Sequence, residues 1–254
     1  MNAQRATRNV QPPPEVDLSV VIPAYNEEDR LRRHVPGIVE YLKSRNLKFE
    51  IIVVDDGSRD GTAAVARTLP VRLISYQPNR GKGGAVKAGM LAAQGRHVMF
   101  TDADQSTPIQ EVEKLLAKLD AGYDVAIGSR AVPGASVEQP QVWYRALAGQ
   151  LFRLGARWLC LRGIHDTQCG FKAMKHAAAQ KIFPQVTSPT AIFDIELLVV
   201  ATREGYRIAE VPVRWVHDPD TRIPYNLRRA LRIWMELLRI KWAQRVIWPV
   251  KART

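Results

Sequence analysis

Cysteine is scarce in this chain of 254 residues: there are two, Cys160 and Cys169, in no metal-ligand spacing and no disulfide framework. They read as buried or idle thiols in a reducing compartment. Long apolar runs are missing as well. Nowhere do about eighteen uncharged apolar residues follow one another, so no membrane-spanning helix is expected. The first residues are polar, carry Pro12-Pro13-Pro14 and lack an apolar core, so no signal peptide is expected either. There is no G-x-x-x-x-G-K-[ST] loop, which argues against an ATPase, and no internal repeat. Acidic residues are outnumbered, 25 against 37 Lys and Arg, for a formal charge of +12. The imbalance is local: residues 221–254 hold nine Lys/Arg against Glu236 alone, a net +8. A basic block of this kind suits an anionic partner surface such as lipid headgroups, nucleic acid or a polyanionic substrate.

With 46% apolar and 24% charged residues, the chain has enough material for one large α/β domain, or a domain plus a lobe. Residues 1–16 read as a polar, proline-punctuated leader without fixed structure. Strands and helices then alternate, the pattern of a mostly parallel sheet flanked by helices. Strands are expected at 18–23, 49–55, 71–76, 97–101 and 124–129. Helices are expected at 27–45, 62–68, from the turn at 79–84 to Ala93, and at 109–121. Beyond Arg130 the rhythm changes: a loop at 131–142, an Arg-, Trp- and Leu-rich helix at 143–162, and a polar connector at 163–172. A helix at 191–204, a strand at 207–215 and a basic amphipathic helix or helix pair at 226–248 complete the chain. This divides it into a leader, a domain over 17–217 and a tail over 218–254.

Ligands of open parallel sheets collect outside the carboxyl ends of strands, and acids stand at two of those ends. Ile51–Val54 runs into Asp55-Asp56-Gly57-Ser58, and His97–Thr101 runs into Asp102-Ala103-Asp104. Adjacent carboxylates repel and need a reason to be together; a nucleobase edge offers N–H donors to one of them. Alternate residues of an extended segment point to one side, which lets Asp102 and Asp104 share one cation with diphosphate oxygens. Mg²⁺ or Mn²⁺ suits such oxygen ligands. At the end of the first strand Tyr25 could stack on a base and Glu27 could accept a ribose hydroxyl. The bland alternative is a junction in which Asn26 caps the helix. Asn79-Arg80-Gly81-Lys82-Gly83-Gly84 opens a helix with backbone N–H groups and two cations, a candidate anion site. Together these point to a nucleotide-sugar transferase.

The ordered motifs VVIPAYNEE, VVDDGSRDGT, NRGKGGAVKAG, TDADQSTP, AIGSR, DTQCGFK and FDIELLVVA resemble those of the family 2 glycosyltransferases, over about residues 17–217. The resemblance implies the GT-A (Rossmann-like) nucleotide-diphospho-sugar transferase fold. More narrowly it is similar to the polyprenyl-phosphate (dolichyl-phosphate) glucosyl- and mannosyltransferases, with the glucosyl branch favoured by NRGKGGAV, DTQCGFK and FDIELL. By that resemblance Pro23, Ala24, Tyr25, Glu27 and Asp55 line the nucleoside, and Asp102 and Asp104 meet the diphosphate and metal. Mannosyl relatives place a Gln two positions after the second Asp as a further metal ligand. Ser106 stands there in this chain, with Gln105 shifted by one, so Ser106 or a water takes that role.

The expected chemistry is an inverting, metal-dependent transfer of a hexose to a lipid phosphate. UDP-glucose is the first choice of donor and GDP-mannose the second, since both bases present N–H groups to a carboxylate. Lys82 or Arg80 would offset charge on the departing diphosphate. Ser129 and Arg130 are the expected grip on the acceptor phosphate, with Arg145, Arg153 and Lys172 as further candidates. Asp166 and Asp194 are candidates for a base or an acceptor-orienting role, Asp194 alternatively starting a helix. In the tail, Leu227, Leu231, Trp234, Leu238 and Trp242 recur at helical spacing among arginines, as in a helix lying in a membrane interface. Residues 143–161 repeat that theme. Ordinary packing of these stripes on the domain or a second subunit is the alternative, and a homo-oligomer stays open. The expected location is peripheral, on the cytoplasmic face of a membrane. A soluble saccharide acceptor is the rival within the enzyme class, and a scaffold with a dead nucleotide-sugar site lies outside it. A nucleic-acid-binding module is disfavoured, because acids at strand ends would repel phosphate.

Overall fold

A computed structural model describes residues 15–138, 161–217, 227–244 and 250–251. The first half follows a regular alternation: β1 (Leu18–Ala24), α1 (Glu28–Ser44), β2 (Phe49–Asp55), α2 (Thr62–Thr68), β3 (Arg72–Ser75), α3 (Gly81–Ala92), β4 (His97–Thr101), a 3-10 turn (Ile109–Glu111) running into α4 (Val112–Asp120), and β5 (Val125–Ser129). Then come β6 (Ser136–Glu138), β7 (Leu161–Arg162), β8 (Phe171–Lys175), α5 (His176–Ile182), α6 (Phe193–Arg203), β9 (Ile208–Pro212), β10 (Arg214–Val216), α7 (Leu227–Ala243) and β11 (Val250–Lys251).

Seven strands form the central sheet, in the order β3-β2-β1-β4-β8-β5-β9. All neighbours pair in parallel except β8, which runs antiparallel between β4 and β5. Strands covered on both faces read as continuous apolar runs, as Val20–Ile22 and Ile51–Val54 do. Successive side chains point to opposite faces, so each strand feeds two cores. Val21, Ile52, Val54, Val98 and Phe100 pack on one side against α3, α5 and α6. Leu18, Val20, Ile22, Ile51 and Val53 pack on the other against the stripe Leu31, Val35, Ile38, Leu42 of α1 and against α4.

The structure departs from the sequence reading mainly in the second half. The connector expected over 163–172 ends in a strand at the middle of the sheet. Its two lysines disguised it: Lys172 is fully buried on β8, held by Asp194 of α6, while Lys175 reaches Asp124 at 3.0 Å. The helix α5 was not anticipated. The single strand expected over 207–215 divides at buried Val213: β9 stays in the main sheet, and β10 turns away to pair with β6. The helix expected over 143–162 lies outside the described residues except for its last two, which form β7.

Helix α7 docks on the domain through Leu237, Ile240 and Gln244. Trp234, Met235, Leu238 and Trp242 stay on its exposed side, Trp242 at 82% exposure. No described helix is long and apolar enough to cross a membrane.

Candidate active site

The carboxyl ends of β1, β2, β4 and β5 converge on one edge of the sheet. At the end of β1, Tyr25 is 42% exposed and Asn26 adopts a positive φ of 56°. That bend sends Asn26 into the neighbouring turn rather than into a helix cap. Its Oδ1 accepts from Arg59 N at 2.8 Å, and its own N–H donates to Ser58 Oγ at 3.0 Å. Glu27 N donates to Thr62 Oγ1 at 2.8 Å, and the Glu27 carboxylate pairs with Arg30 at 2.9 Å. The 55–62 turn is thus pinned to the end of β1. Pro23 and Ala24 form the last two residues of β1 beside it.

Asp55 is buried at the end of β2, its oxygens accepting from Ser58 N at 3.0 Å and Ser75 Oγ at 2.8 Å. Asp56 accepts the backbone N–H of Arg80 at 2.7 Å, and the Arg80 guanidinium lies 4.1 Å from the Tyr76 ring centroid. Burial, then the nearby Asp56 charge, pushes the Tyr76 hydroxyl well above its ordinary value.

The glycine-rich turn differs from the expected anion cradle. Three of its N–H groups are engaged within the protein: Arg80 to Asp56, Gly81 to Asn79 Oδ1 at 3.0 Å, and Gly83 to Pro189 O at 3.0 Å. The glycines serve a close approach. A Cβ on Gly81 would lie 2.2 Å from Pro189 O, and one on Gly83 would lie 2.1 Å from Ser188 O. The 187–190 loop seated there is clamped from two helices. Fully buried Glu196 of α6 accepts from Thr187 N, Ser188 N and Gln244 Nε2, at 2.9, 2.7 and 2.8 Å. Glu236 of α7 accepts from the Ser188 hydroxyl and from Thr190 Oγ1. What the turn delivers is a side chain: Lys82 Nζ sits 2.6 Å from Asp102 Oδ1. Burial works against the Lys82 charge, but Asp102, with Asp194 and Asp104 behind it, raises its pKa well above the ordinary lysine value.

Asp102 and Asp104 lie on a turn just past β4, not on an extended segment; Gln105 N closes it on Asp102 O at 3.2 Å. Gln105 itself takes a positive φ of 50° and folds its amide back to Thr101 Oγ1. Ser106 N donates to Asp104 Oδ1 at 2.9 Å, and Ser106 O accepts from Val216 N at 2.8 Å. Burial and then the Asp102 charge raise the Asp104 carboxyl above its ordinary value. Gly170 clears the space beside Asp102: a Cβ there would meet Asp102 Oδ2 at 2.2 Å. Two mutually repelling carboxylates on a tight turn form an oxygen donor set that fits a hard divalent cation, whose charge would relieve the repulsion. Among the described residues no group of three or more His, Cys, Asp or Glu gathers around one point.

Arg130 follows β5. Its Nε and Nη2 bond Asp166 Oδ2 and Oδ1 at 2.6 and 2.9 Å, and its backbone N–H reaches the same carboxylate at 3.0 Å. Burial pushes the Asp166 carboxyl up, but the Arg130 hydrogen bonds and charge outweigh it and leave a pKa of about 2. A carboxyl that acidic is a poor base at neutral pH; Asp166 orients the guanidinium. Ser129, fully buried, accepts from Ala131 N at 3.2 Å and helps shape that turn.

A model of "Glycosyl transferase family 2" matches residues 19–183. The chain belongs to that family. A dolichyl-phosphate beta-glucosyltransferase of Homo sapiens is 38% identical over 229 residues, covering 83% of this chain and 70% of the relative. One from Dictyostelium discoideum is 31% identical over 263 residues, covering 96% and 80%. Among solved structures, glucosyl-3-phosphoglycerate synthase from Mycobacterium tuberculosis, in complex with Mn²⁺, UDP and glucosyl-3-phosphoglycerate, superposes with a TM-score of 0.62. It is 20% identical and covers 91% of this chain and 80% of that one. A second complex of that synthase, with Mn²⁺, UDP-glucose and phosphoglyceric acid, gives a TM-score of 0.65 at 19% identity, covering 91% and 80%. These likenesses show the fold, that of the GT-A glycosyltransferases.

In this family 2 transferase the fold brings Tyr25, Asp55, Lys82, Asp102, Asp104 and Arg130 to one edge of the sheet. Two further expected residues are buried and paired with each other. Lys172, expected at the acceptor phosphate, is fully buried; its Nζ bonds the Asp194 carboxylate and Cys169 O, and lies 5.4 Å from the Phe100 ring centroid. Asp194, expected as a base, an acceptor-orienting group or the start of a helix, is the other half of that pair, in the first turn of α6. Burial raises its carboxyl, with Lys172 and Lys82 pulling the other way. The pair supports the site from beneath. Arg145 and Arg153 lie outside the described residues. Sequence reasoning missed Glu196, Glu236 and Gly170. The close Gly81 and Gly83 contacts were the available signal for the first two, since glycines in a helix start can answer a packed loop as well as a ligand.

Proposed function

We propose that this glycosyltransferase moves glucose from UDP-glucose to a polyprenyl phosphate of the dolichyl type, with inversion at the anomeric carbon. The observation that carries the reading is the pairing of two oppositely charged stations on one sheet edge. The acidic Asp102–Asp104 turn with Lys82 follows β4. The guanidinium of Arg130 follows β5, on the far side of β8 from β4, within the field of Asp102. The first suits a nucleoside diphosphate with its cation, the second a phosphate acceptor. The names of the curated relatives, dolichyl-phosphate beta-glucosyltransferases at 31 to 38% identity, support the choice of sugar and acceptor.

Asp55 and Tyr25 would meet the base, and Glu27 the ribose. Asp102 and Asp104 would hold a divalent cation, Mn²⁺ or Mg²⁺, with Ser106 or water completing its shell. Bound there, the cation supplies Lewis-acid stabilisation of the departing diphosphate. Lys82 adds a fixed positive charge on the same side. Arg130 holds the acceptor so that a phosphate oxygen attacks the anomeric carbon opposite the leaving group. The new carbon–oxygen bond forms as the bond to UDP breaks, the electron pair leaves with UDP, and the single displacement inverts the centre. A monoester phosphate has its second pKa near 6, so no base is needed to ionise it at neutral pH.

The exposed side of α7 supports a peripheral location at the cytoplasmic face of a membrane. Trp234, Leu238 and Trp242 would enter the interface while Arg239 and Lys241 meet anionic headgroups, each basic residue contributing about 1 kcal/mol. The test is transfer to a short-chain polyprenyl phosphate, comparing UDP-glucose with GDP-mannose, with Mg²⁺, Mn²⁺ or EDTA. Glucolipid formed from UDP-glucose and lost with EDTA is expected. Product from GDP-mannose alone would overturn the sugar, and UDP release only with a soluble acceptor would overturn the lipid.

A further inference from the structure

We propose that Trp215 is a positioning residue that aims Arg130 at the acceptor phosphate. This rests on the lipid-phosphate reading of Arg130. A guanidinium presents five N–H donors in one plane. Asp166 takes one edge of that plane through Nε and Nη2, and Nη1 bonds no described residue. The carboxylate fixes the in-plane direction but leaves the group free to hinge out of plane. Trp215 supplies the missing restraint: the Arg130 guanidinium lies 5.4 Å from its ring centroid. An aromatic face at that range attracts the cation without consuming a donor, so the free edge keeps its capacity for a phosphate.

The backbone carrying Trp215 is tied to both halves of the site. Val213 N donates to Ser129 O at 3.2 Å, one residue before Arg130. Val216 N donates to Ser106 O at 2.8 Å, two residues past Asp104. Trp215 pairs in register with Val137 of β6, and its ring stacks on His217 at 5.7 Å between centroids. Residues 213–216 therefore form a strap between the cation turn and the acceptor arginine. The indole stands within the strap, so the backbone on both sides of it is fixed while its ring meets Arg130.

The test compares Trp215→Leu and Trp215→Phe in the full chain, by initial rates with each substrate varied while the other saturates. Binding of UDP with Mn²⁺ is measured alongside. Loss of the aromatic face in Trp215→Leu should raise the KM for polyprenyl phosphate roughly three- to thirty-fold. The KM for UDP-glucose and the affinity for UDP should stay within about twofold, because no atom of the donor station is removed. Trp215→Phe, which keeps an aromatic face, should recover most of the loss. An unchanged acceptor KM in Trp215→Leu, equal losses in both variants, or a matching rise in donor KM would overturn the proposal; the last would make Trp215 a sugar platform. Should Trp215→Leu fail to fold, Trp215→Met, which keeps bulk without an aromatic face, takes its place: a rise of about three- to thirtyfold confined to the acceptor supports the role, and no rise overturns it. Absence of lipid product from the parent enzyme would instead overturn the acceptor reading.

Discussion

Replacing Asp166 by Asn should destabilise the protein in a pH-dependent way. The carboxyl is 1% exposed and its pKa falls from an ordinary 3.8 to about 2 in the fold. A folded value below the unfolded one stabilises the native state above about 3.8, and that stabilisation disappears as pH falls through about 2. The difference corresponds to about 2 kcal/mol at neutral pH, falling to roughly half by pH 3. Asn loses this same pairing rather than an additional one, because it accepts only one of the two Arg130 side-chain bonds and leaves a mostly buried cation half paired. Losing one partner of such a pair costs about 3 to 5 kcal/mol, with the lower end expected for an isostere. Urea unfolding at pH 7, 5, 4 and 3 reads the loss and its pH dependence. The gap between parent and Asp166→Asn should be about 2 to 4 kcal/mol at pH 7 and shrink by about 1 kcal/mol at pH 3. A gap that is constant with pH would refute the assignment of the depressed carboxyl to Asp166.

Asp104→Asn should reduce turnover by at least about a hundredfold through loss of transition-state charge stabilisation, with saturating Mn²⁺ failing to restore it; near-normal rates would remove the carboxylate from the cation site. Gly83→Ala drives a methyl to 2.1 Å from Ser188 O, in a loop held by Glu196 and Glu236. It should cost about 1 to 3 kcal/mol in urea and weaken UDP binding by displacing Lys82, whereas unchanged UDP affinity would separate the loop from the donor station. Lys172→Met leaves Asp194 buried without its cation and should destabilise by about 3 to 5 kcal/mol. Adding Asp194→Leu should recover most of that loss, and a further loss in the double variant would contradict a purely structural pair. Changing Trp234, Leu238 and Trp242 together to Ser should release the protein from anionic vesicles in a sedimentation assay, while unchanged co-sedimentation would reject the α7 surface as a docking face.

What the sequence determined by itself was whatever rests on local periodicity and on the residues that punctuate it. The apolar runs of β1, β2, β4 and β5, the 3.6-residue stripe of α1, and the acids directly after strands specify parallel strands with ligands at their carboxyl ends. The identity of the residues on that edge follows from order alone. Tertiary structure decided the rest, because burial and pairing are properties of elements that meet from far apart. Lys172 read as a candidate grip on the acceptor phosphate until β8 was inserted between β4 and β5 and Asp194 of α6 met it, 22 positions away. Asp166 read as either a base or an acceptor-orienting group, and the choice waited on its carboxylate bridging 36 positions to Arg130. Gly81 and Gly83 had the composition of an anion loop, yet carbonyls 108 and 105 positions later occupy the space they leave, because close packing there excludes even one methyl group.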